Sequence, residues 1–375
     1  MKTVEKNDPR VSDIDKDVSI KFKWQWLDHE VELAKSATVT KSSSQSTSTG
    51  PVASGASGTN SSTVQIRLGD TIKKAEEDGY VYGRVCNHSC DTVAHAINRI
   101  EGGVGACVFS SGMAAISNTI LALIKSGDHI IAPDPVYSGV YAFLKQIINN
   151  YGVEVTYVPS GDLDAYRKAI KPNTKIFYGE TPTNPILSLL DLKAFADIAK
   201  TVPGAISMCD STFASPILQD TLGAGVDIVF QSCTKYLGGH SDLLAGSMCT
   251  SDPDLFFYLS EHQKITGNIM SPYTASILLR GIRTLPIRME RHSDNALQVA
   301  KFLEAHPKIS RVFYPGLPSH PDYEVAKKQM KKFSGMVVCD IKDGMQAAKT
   351  FVQLSLFIKN IEIERTKKNQ LYNLP

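Results

Sequence analysis

Residues 206–240 read ISMCDSTFASPILQDTLGAGVDIVFQSCTKYLGGH, and the way this stretch is punctuated decides the fold. Ile206 to Cys209 and Asp227 to Phe230 are apolar runs of strand length. The first is followed by Asp210-Ser211-Thr212 and the second, after Gln231, by Ser232-Cys233-Thr234-Lys235. A strand covered on both faces reads as such a run, whereas a half-exposed strand alternates. The texture recurs upstream, where Ala106 to Phe109, His129 to Ala132, Val153 to Val158 and Lys175 to Tyr178 are strand-like. Among these runs, Met113 to Lys125, Tyr137 to Asn149 and Leu192 to Lys200 carry apolar residues three and four apart, as a helix face does. Strand and helix in alternation predict an α/β fold with a mostly parallel sheet covered on both sides. Ligands of such sheets sit at the carboxyl ends of the strands.

Working outward, residues 65–285 form a large domain and 286–375 a smaller α/β domain. The latter comprises a helix from about Pro286 to about Ala305, strand-like Ser310 to Tyr314, helical Asp322 to Met330, strand-like Met336 to Ile341 and helical Met345 to Leu354. Residues 1–64 form an amino-terminal segment. Within it, Ser36 to Thr63 holds sixteen Ser or Thr among twenty-eight positions. So little apolar surface cannot offset the entropy of ordering, so a disordered insertion is expected. Lys21 to Leu33 mixes aromatic and charged residues without a readable period.

Forty basic against thirty-eight acidic side chains leave a formal charge of +2 on 375 residues. That balance offers no bulk attraction to nucleic acid or to an anionic membrane. Apolar runs such as Thr119 to Ile124 fall far short of the roughly 20 residues of a spanning helix. The amino terminus, with Asp8, Asp13, Asp15 and Asp17, lacks the apolar core of a secretory signal. Seven cysteines, an odd number without a C-x-x-C pair, point to a reducing, cytoplasmic setting. Cys86, His88 and Cys90 have no second half with metal-ligand spacing, so free thiols and no metal are expected.

Four local features carry chemistry. Lys235, at a strand end and next to hydroxyls, can be desolvated into an amine nucleophile toward an aldehyde; by position alone it reads as a solvated loop lysine. Asp210, at the end of an apolar strand, needs a cation or strong donor. A protonated pyridine nitrogen is one such partner, and a helix cap or turn is the plainer one. Ser110-Ser111-Gly112-Met113 joins a strand to a strong helix, an arrangement that presents backbone N–H groups and hydroxyls to a phosphate, or is an ordinary N-cap. Tyr82 and Arg84 could add contacts to the same anion, or be a surface pair.

Taken together, these strings resemble the Cys/Met-metabolism family of pyridoxal-phosphate enzymes: cystathionine gamma-synthases, cystathionine lyases, methionine gamma-lyases and relatives. The resemblance runs from about Tyr80 to about Phe357. It is most specific in Ser110 to Ala115, Glu180-Thr181-Pro182-Thr183-Asn184-Pro185, Asp210 to Pro216 and Ser232 to Gly246, with support from Gly281 to Leu285 and Tyr314 to Pro321. It implies the fold-type-I transferase fold, with a seven-stranded type of sheet, and pyridoxal 5'-phosphate as cofactor. Lys235 would hold the cofactor as a Schiff base and later move protons. Asp210 would pair with the pyridine nitrogen, Tyr137 would stack on the ring and assist proton transfer, and Asn184 would lie near the ring hydroxyl. Gly112, Met113, Ser232 and Thr234 would bind the phosphate, joined by Tyr82 and Arg84 from a neighbouring subunit of a homodimer or homotetramer. The implied reaction makes or breaks a carbon-sulfur bond of a small amino-acid substrate, by beta- or gamma-elimination or by gamma-replacement.

The chain departs from the family pattern in three places. Asn87-His88-Ser89 stands where the family has Asn-Pro-Thr, the apolar strand that normally precedes the Tyr-x-Arg motif is not recognisable, and the chain differs after Leu356-Phe357. There the family continues with a Gly-rich serine segment and an arginine for the substrate carboxylate, whereas this chain runs Ile358 to Arg365 and stops at Pro375. That tail reads as a frameshift, a mis-assigned final exon or a truncation, leaving the smaller domain incomplete or divergent. Arg365 reads as a solvated end in preference to a substitute clamp. A catalytically impaired homologue is therefore the competing expectation, and an aminotransferase or decarboxylase on the same fold a more distant one.

Overall fold

The computed structural model describes residues 80, 82–342, 344 and 347, together with strands β1 (Lys21–Lys23) and β2 (Glu30–Glu32). The Ser/Thr-rich stretch, most of the expected helix from Met345 to Leu354 and the tail after residue 357 lie outside the described residues. The chain divides into two units, Met1–His88 and Ser89–Pro375. In the first, β1 and β2 pair antiparallel, with Phe22 opposite Val31. Tyr82 opens a turn there, its carbonyl accepting the N–H groups of Val85 and Cys86.

The second unit is built on a seven-stranded sheet. Its strands are β3 (Gly105–Phe109), β4 (His129–Asp134), β5 (Glu154–Pro159), β6 (Thr174–Glu180), β7 (Ile206–Asp210), β8 (Ile228–Gln231) and β9 (Gly246–Thr250), in the order β3-β9-β8-β7-β6-β4-β5. All pairings from β8 to β5 are parallel; β9 runs antiparallel to both neighbours. Side chains of a strand alternate between faces, and here both faces are dry. Ile130, Ala132, Ile176, Tyr178, Met208, Ile228 and Phe230 enter one core, and Ile131, Phe177 and Cys209 another. This double cover is why the strands read as unbroken apolar runs.

Helix α1 (His88–Glu101) precedes β3, and α2 (Gly112–Leu123) follows it, with Ser111 as N-cap accepting the Ala114 N–H at 3.1 Å. The segment expected as one helix over Tyr137 to Asn149 changes pitch twice. It starts as α3 (Ser138–Ala142), widens to a π-turn (Phe143–Ile147), tightens to a 3-10 turn (Ile148–Tyr151) and ends at Gly152 with φ 71°. The buried positions Val140, Phe143, Leu144 and Ile148 keep helical spacing throughout, so the apolar pattern does not register the change. Then come α4 (Leu163–Lys168), α5 (Leu192–Lys200) and α6 (Ser215–Leu218). Helices α7 (Pro253–Thr266) and α8 (Pro272–Ile282), like α1, add to the expected set; both open on a proline at the first turn.

The smaller layer consists of α9 (Leu285–Glu304), β10 (Ile309–Phe313), α10 (Tyr323–Gln329) and β11 (Val338–Ile341), with β10 and β11 antiparallel. Ala296, Ala300, Val312, Tyr314 and Leu317 form its own core.

Candidate active site

The carboxyl ends of β6, β7 and β8 release three loops side by side, and the residues at those ends are held to one another by hydrogen bonds. On β6 and β7, Glu180 and Asp210 are register partners. Asp210 is buried, and its Oδ1 accepts the Thr212 N–H at 2.9 Å. Thr212 Oγ1 in turn accepts the Ser232 N–H at 2.7 Å, joining the loop after β7 to the loop after β8. Lys235 closes a turn within the latter, its N–H donating to Ser232 O at 3.0 Å while its carbonyl accepts the Gly239 N–H at 2.7 Å. The Lys235 side chain is exposed.

The start of α2 meets this loop. A Cβ placed on Gly112 would stand 3.0 Å from Ser232 Cβ and 3.2 Å from its Oγ, and one on Gly246 would stand 2.2 Å from the Ser111 carbonyl. Only glycine lets these backbones approach so closely. Because Ser111 caps Ala114, the N–H groups of Gly112 and Met113 are the helix donors left without an intrahelical acceptor. Thr234 uses its hydroxyl differently from Ser232: Oγ1 accepts the Ala245 N–H at 3.0 Å and donates to the Ala245 carbonyl at 3.2 Å.

Tyr137 stands at the head of α3, 41% exposed. A Cβ on Gly139 would lie 2.6 Å from the Tyr137 ring and 3.1 Å from Met113 Sδ, which puts Met113 and Tyr137 around the same point. Glu180 ties the rest together. Its Oε2 accepts the Tyr137 N–H at 3.0 Å and its Oε1 the Asn184 N–H at 2.6 Å. Eight of the ten expected site residues, all but Tyr82 and Arg84, therefore fall on one set of touching loops. Tyr82 and Arg84 belong to the first unit, where the Arg84 guanidinium lies over the Tyr82 ring, 5.4 Å from its centroid.

Electrostatically, burial pushes the Asp210 carboxyl above its ordinary range, while the hydrogen bonds from Thr212 work the other way. Among the described residues no ion pair reaches it. One residue before Ser232, Gln231 Nε2 donates to Glu101 Oε1 at 2.9 Å, and burial pushes the Glu101 carboxyl up to about 8. From the smaller layer, the Arg288 guanidinium donates to the Tyr236 and Gly281 carbonyls, each at 2.7 Å, and so braces the turn that carries Lys235. Sequence reasoning had no purchase on Thr212, Arg288 or the bracing by Glu180, because their partners are backbone groups supplied by folding. Glu180 and Thr212 left a trace only as members of family strings.

The family model described as Cys/Met metabolism PLP-dependent enzyme matches residues 36–363. The chain belongs to this family. Among its relatives, an L-methionine gamma-lyase of Fusobacterium nucleatum is 42% identical over 281 residues, covering 74% of this chain and 70% of that protein. A cystathionine gamma-synthase of Mycobacterium leprae is 42% identical over 270 residues, covering 72% and 69%. Among solved structures, cystathionine gamma-lyase from Lactobacillus plantarum complexed with L-serine superposes with a TM-score of 0.69 at 39% identity, covering 71% of this chain and 69% of that one. The cofactor of this Cys/Met-metabolism enzyme is pyridoxal phosphate, and the site's own chemistry fits it. A buried carboxylate without a protein cation suits a protonated ring nitrogen, and two free helix-start N–H groups beside Ser232 suit a phosphate. The lysine one turn further on suits an aldehyde.

Proposed function

We propose that this chain makes or breaks a carbon-sulfur bond of a small amino acid, by beta- or gamma-elimination or by gamma-replacement on cystathionine or a homoserine derivative. The observation that carries this reading is the Thr212–Ser232 hydrogen bond, which brings the Asp210 loop and the Lys235 loop together beside the open end of α2. Bound pyridoxal phosphate supplies an electron sink that acidifies the substrate's alpha carbon.

The chain's residues do the rest. Gly112 and Met113 N–H groups, with Ser232, would hold the phosphate, Thr234 joining them by turning its hydroxyl proton away from the Ala245 carbonyl, and Asp210 would keep the ring nitrogen protonated. Asn184 would lie near the ring hydroxyl, and Tyr137 would stack on the ring and assist proton transfer. Lys235 Nζ would hold the cofactor's aldehyde, and the same amine would serve as the acid-base group that moves protons on the substrate. Tyr82 and Arg84 reach the phosphate from a neighbouring chain of a cytoplasmic homodimer or homotetramer. The cofactor is assigned to the domain over 65–285, and 286–375 to a smaller domain. The amino-acid ligand of the Lactobacillus plantarum structure agrees with a small amino-acid substrate. No observation favours a homologue without catalysis.

Purified protein given pyridoxal phosphate is expected to gain the visible absorbance of lysine-bound cofactor. Lys235→Ala should lose that band and lower turnover by roughly 10²–10⁴-fold, the worth of a positioned acid-base group. A preparation that stays colourless overturns the reading. Ammonia, oxo acid and thiol released from cystathionine or methionine mark a lyase, and cystathionine formed from cysteine and an activated homoserine marks a synthase.

A further inference from the structure

Ser334 lies in the loop between α10 and β11, buried at 2% exposure, with its backbone left-handed at φ 72°. A non-glycine residue holds that conformation only where its surroundings over-determine it. Glycine would adopt it freely, so the side chain is what the position retains. Three contacts define the setting. The Ser334 hydroxyl donates to the Phe213 carbonyl. The Tyr236 phenol lies 3.4 Å from Ser334 Oγ, and because the single serine proton is already given to Phe213, the phenol is the donor. The Ser334 carbonyl accepts from the Tyr314 phenol at 3.1 Å, anchoring the loop in the core of the smaller layer.

Phe213 is the third residue after Asp210, and Tyr236 directly follows Lys235. One hydroxyl from the smaller layer thus joins the loop of the acid to the loop of the amine. The junction has little slack. A Cβ on Gly335 would stand 2.9 Å from the Tyr236 phenol oxygen and 2.9 Å from His292 Cβ, and Arg288 braces the main chain of Tyr236.

We infer that Ser334 is a positioning residue, whose hydroxyl fixes the Asp210 carboxylate relative to the Lys235 amine through Phe213 and Tyr236. The inference rests on the cofactor roles proposed above for those two residues. It makes the smaller layer part of the site's geometry without any contact to cofactor or substrate.

Ser334→Gly keeps the left-handed backbone and removes the hydroxyl together with its Cβ. In the holoenzyme it is expected to at least halve the visible circular dichroism of the bound pyridoxal phosphate, which reports ring orientation. It should also speed cofactor dissociation about tenfold, the worth of one buried hydrogen bond, while the melting temperature of the cofactor-free chain holds or rises. Tyr236→Phe should act in the same direction and add nothing to Ser334→Gly, since both cut one link. Wild-type dichroism and dissociation in Ser334→Gly overturn the inference, whatever happens to stability. Should that variant fail to fold, the same two readings on Tyr236→Phe decide. A wild-type chain that takes up no cofactor overturns both this inference and the proposed function; a coloured wild type beside unchanged variants overturns this inference alone.

Discussion

Glu180 receives two main-chain N–H groups from different loops, Tyr137 at 3.0 Å and Asn184 at 2.6 Å. A carboxylate is suited to this, because each of its oxygens accepts and neither donates. Glu180→Ala would leave two half-buried donors without this acceptor, at about 0.5–1.5 kcal/mol each. Chemical denaturation should show a loss of about 1–3 kcal/mol, and a fluorescence titration with pyridoxal phosphate should show affinity lowered by tenfold or more. Glu180→Gln keeps one acceptor but turns an amide N–H toward the other donor, so about half the loss is expected. Unchanged cofactor affinity in both variants would show that Tyr137 and Asn184 hold their places without it. At this scale the residues proposed for the chemistry could be singled out in the sequence and those of the bracing could not. Lys235 and Asp210 stand at strand ends, where an unusual side chain draws notice; Ser334 sits in a loop where serine is commonplace, and only its φ and its partners distinguish it.

Helix α1 ends on Glu101, driven against the end of β8, where Gln231 hydrogen-bonds it. With its carboxyl pushed up to about 8 by burial, the folded chain holds that proton more tightly than the unfolded one. The stability this contributes is therefore complete below about pH 4.5 and is lost as pH rises through 8. The loss is on the order of 4–5 kcal/mol at most. Urea midpoints measured from pH 6 to 9 should fall steadily in the wild type and much less in Glu101→Gln; parallel slopes would mean that Glu101 is already ionised when folded. Elements were legible where burial is one-sided or complete. Helix α7 escaped because its apolar residues lie all round, Leu255 and Leu259 facing the core and Phe257 and Ile265 facing out, so no stripe forms. Strand β9 escaped because Gly246-Ser247-Met248-Cys249-Thr250 is buried throughout yet built, apart from Met248, of small residues, the first of which must be glycine to pass the Ser111 carbonyl.

For the molecule as a whole, the proposed sharing of Arg84 between chains can be tested by mixing. Arg84→Ala chains and Lys235→Ala chains, each defective alone, should regain roughly a quarter of wild-type activity after mild dissociation and reassociation, by random pairing in a two-fold dimer. No recovery would mean that each chain relies on its own Arg84. The alternation of strand and helix was enough to anticipate the doubly covered sheet. The helices and strands from Leu285 to Ile341 were legible as well, but their grip on the Lys235 turn through Arg288 and Ser334 depends on packing that joins residues 52 and 98 positions apart.

Glu180 and Asp210 are paired in register on neighbouring parallel strands, and side chains on a strand alternate strictly between its faces. Adding or deleting a single codon within β7 would therefore swing the Asp210 carboxyl to the opposite side of the sheet, away from Lys235, however well the strand still packed. The connections that enter these strands at their opposite ends, away from the site, carry no such parity. Descendants of this gene can lengthen or shorten those connections and keep the site, whereas the length of the strand that ends on Asp210 is inherited as a whole or lost with the activity.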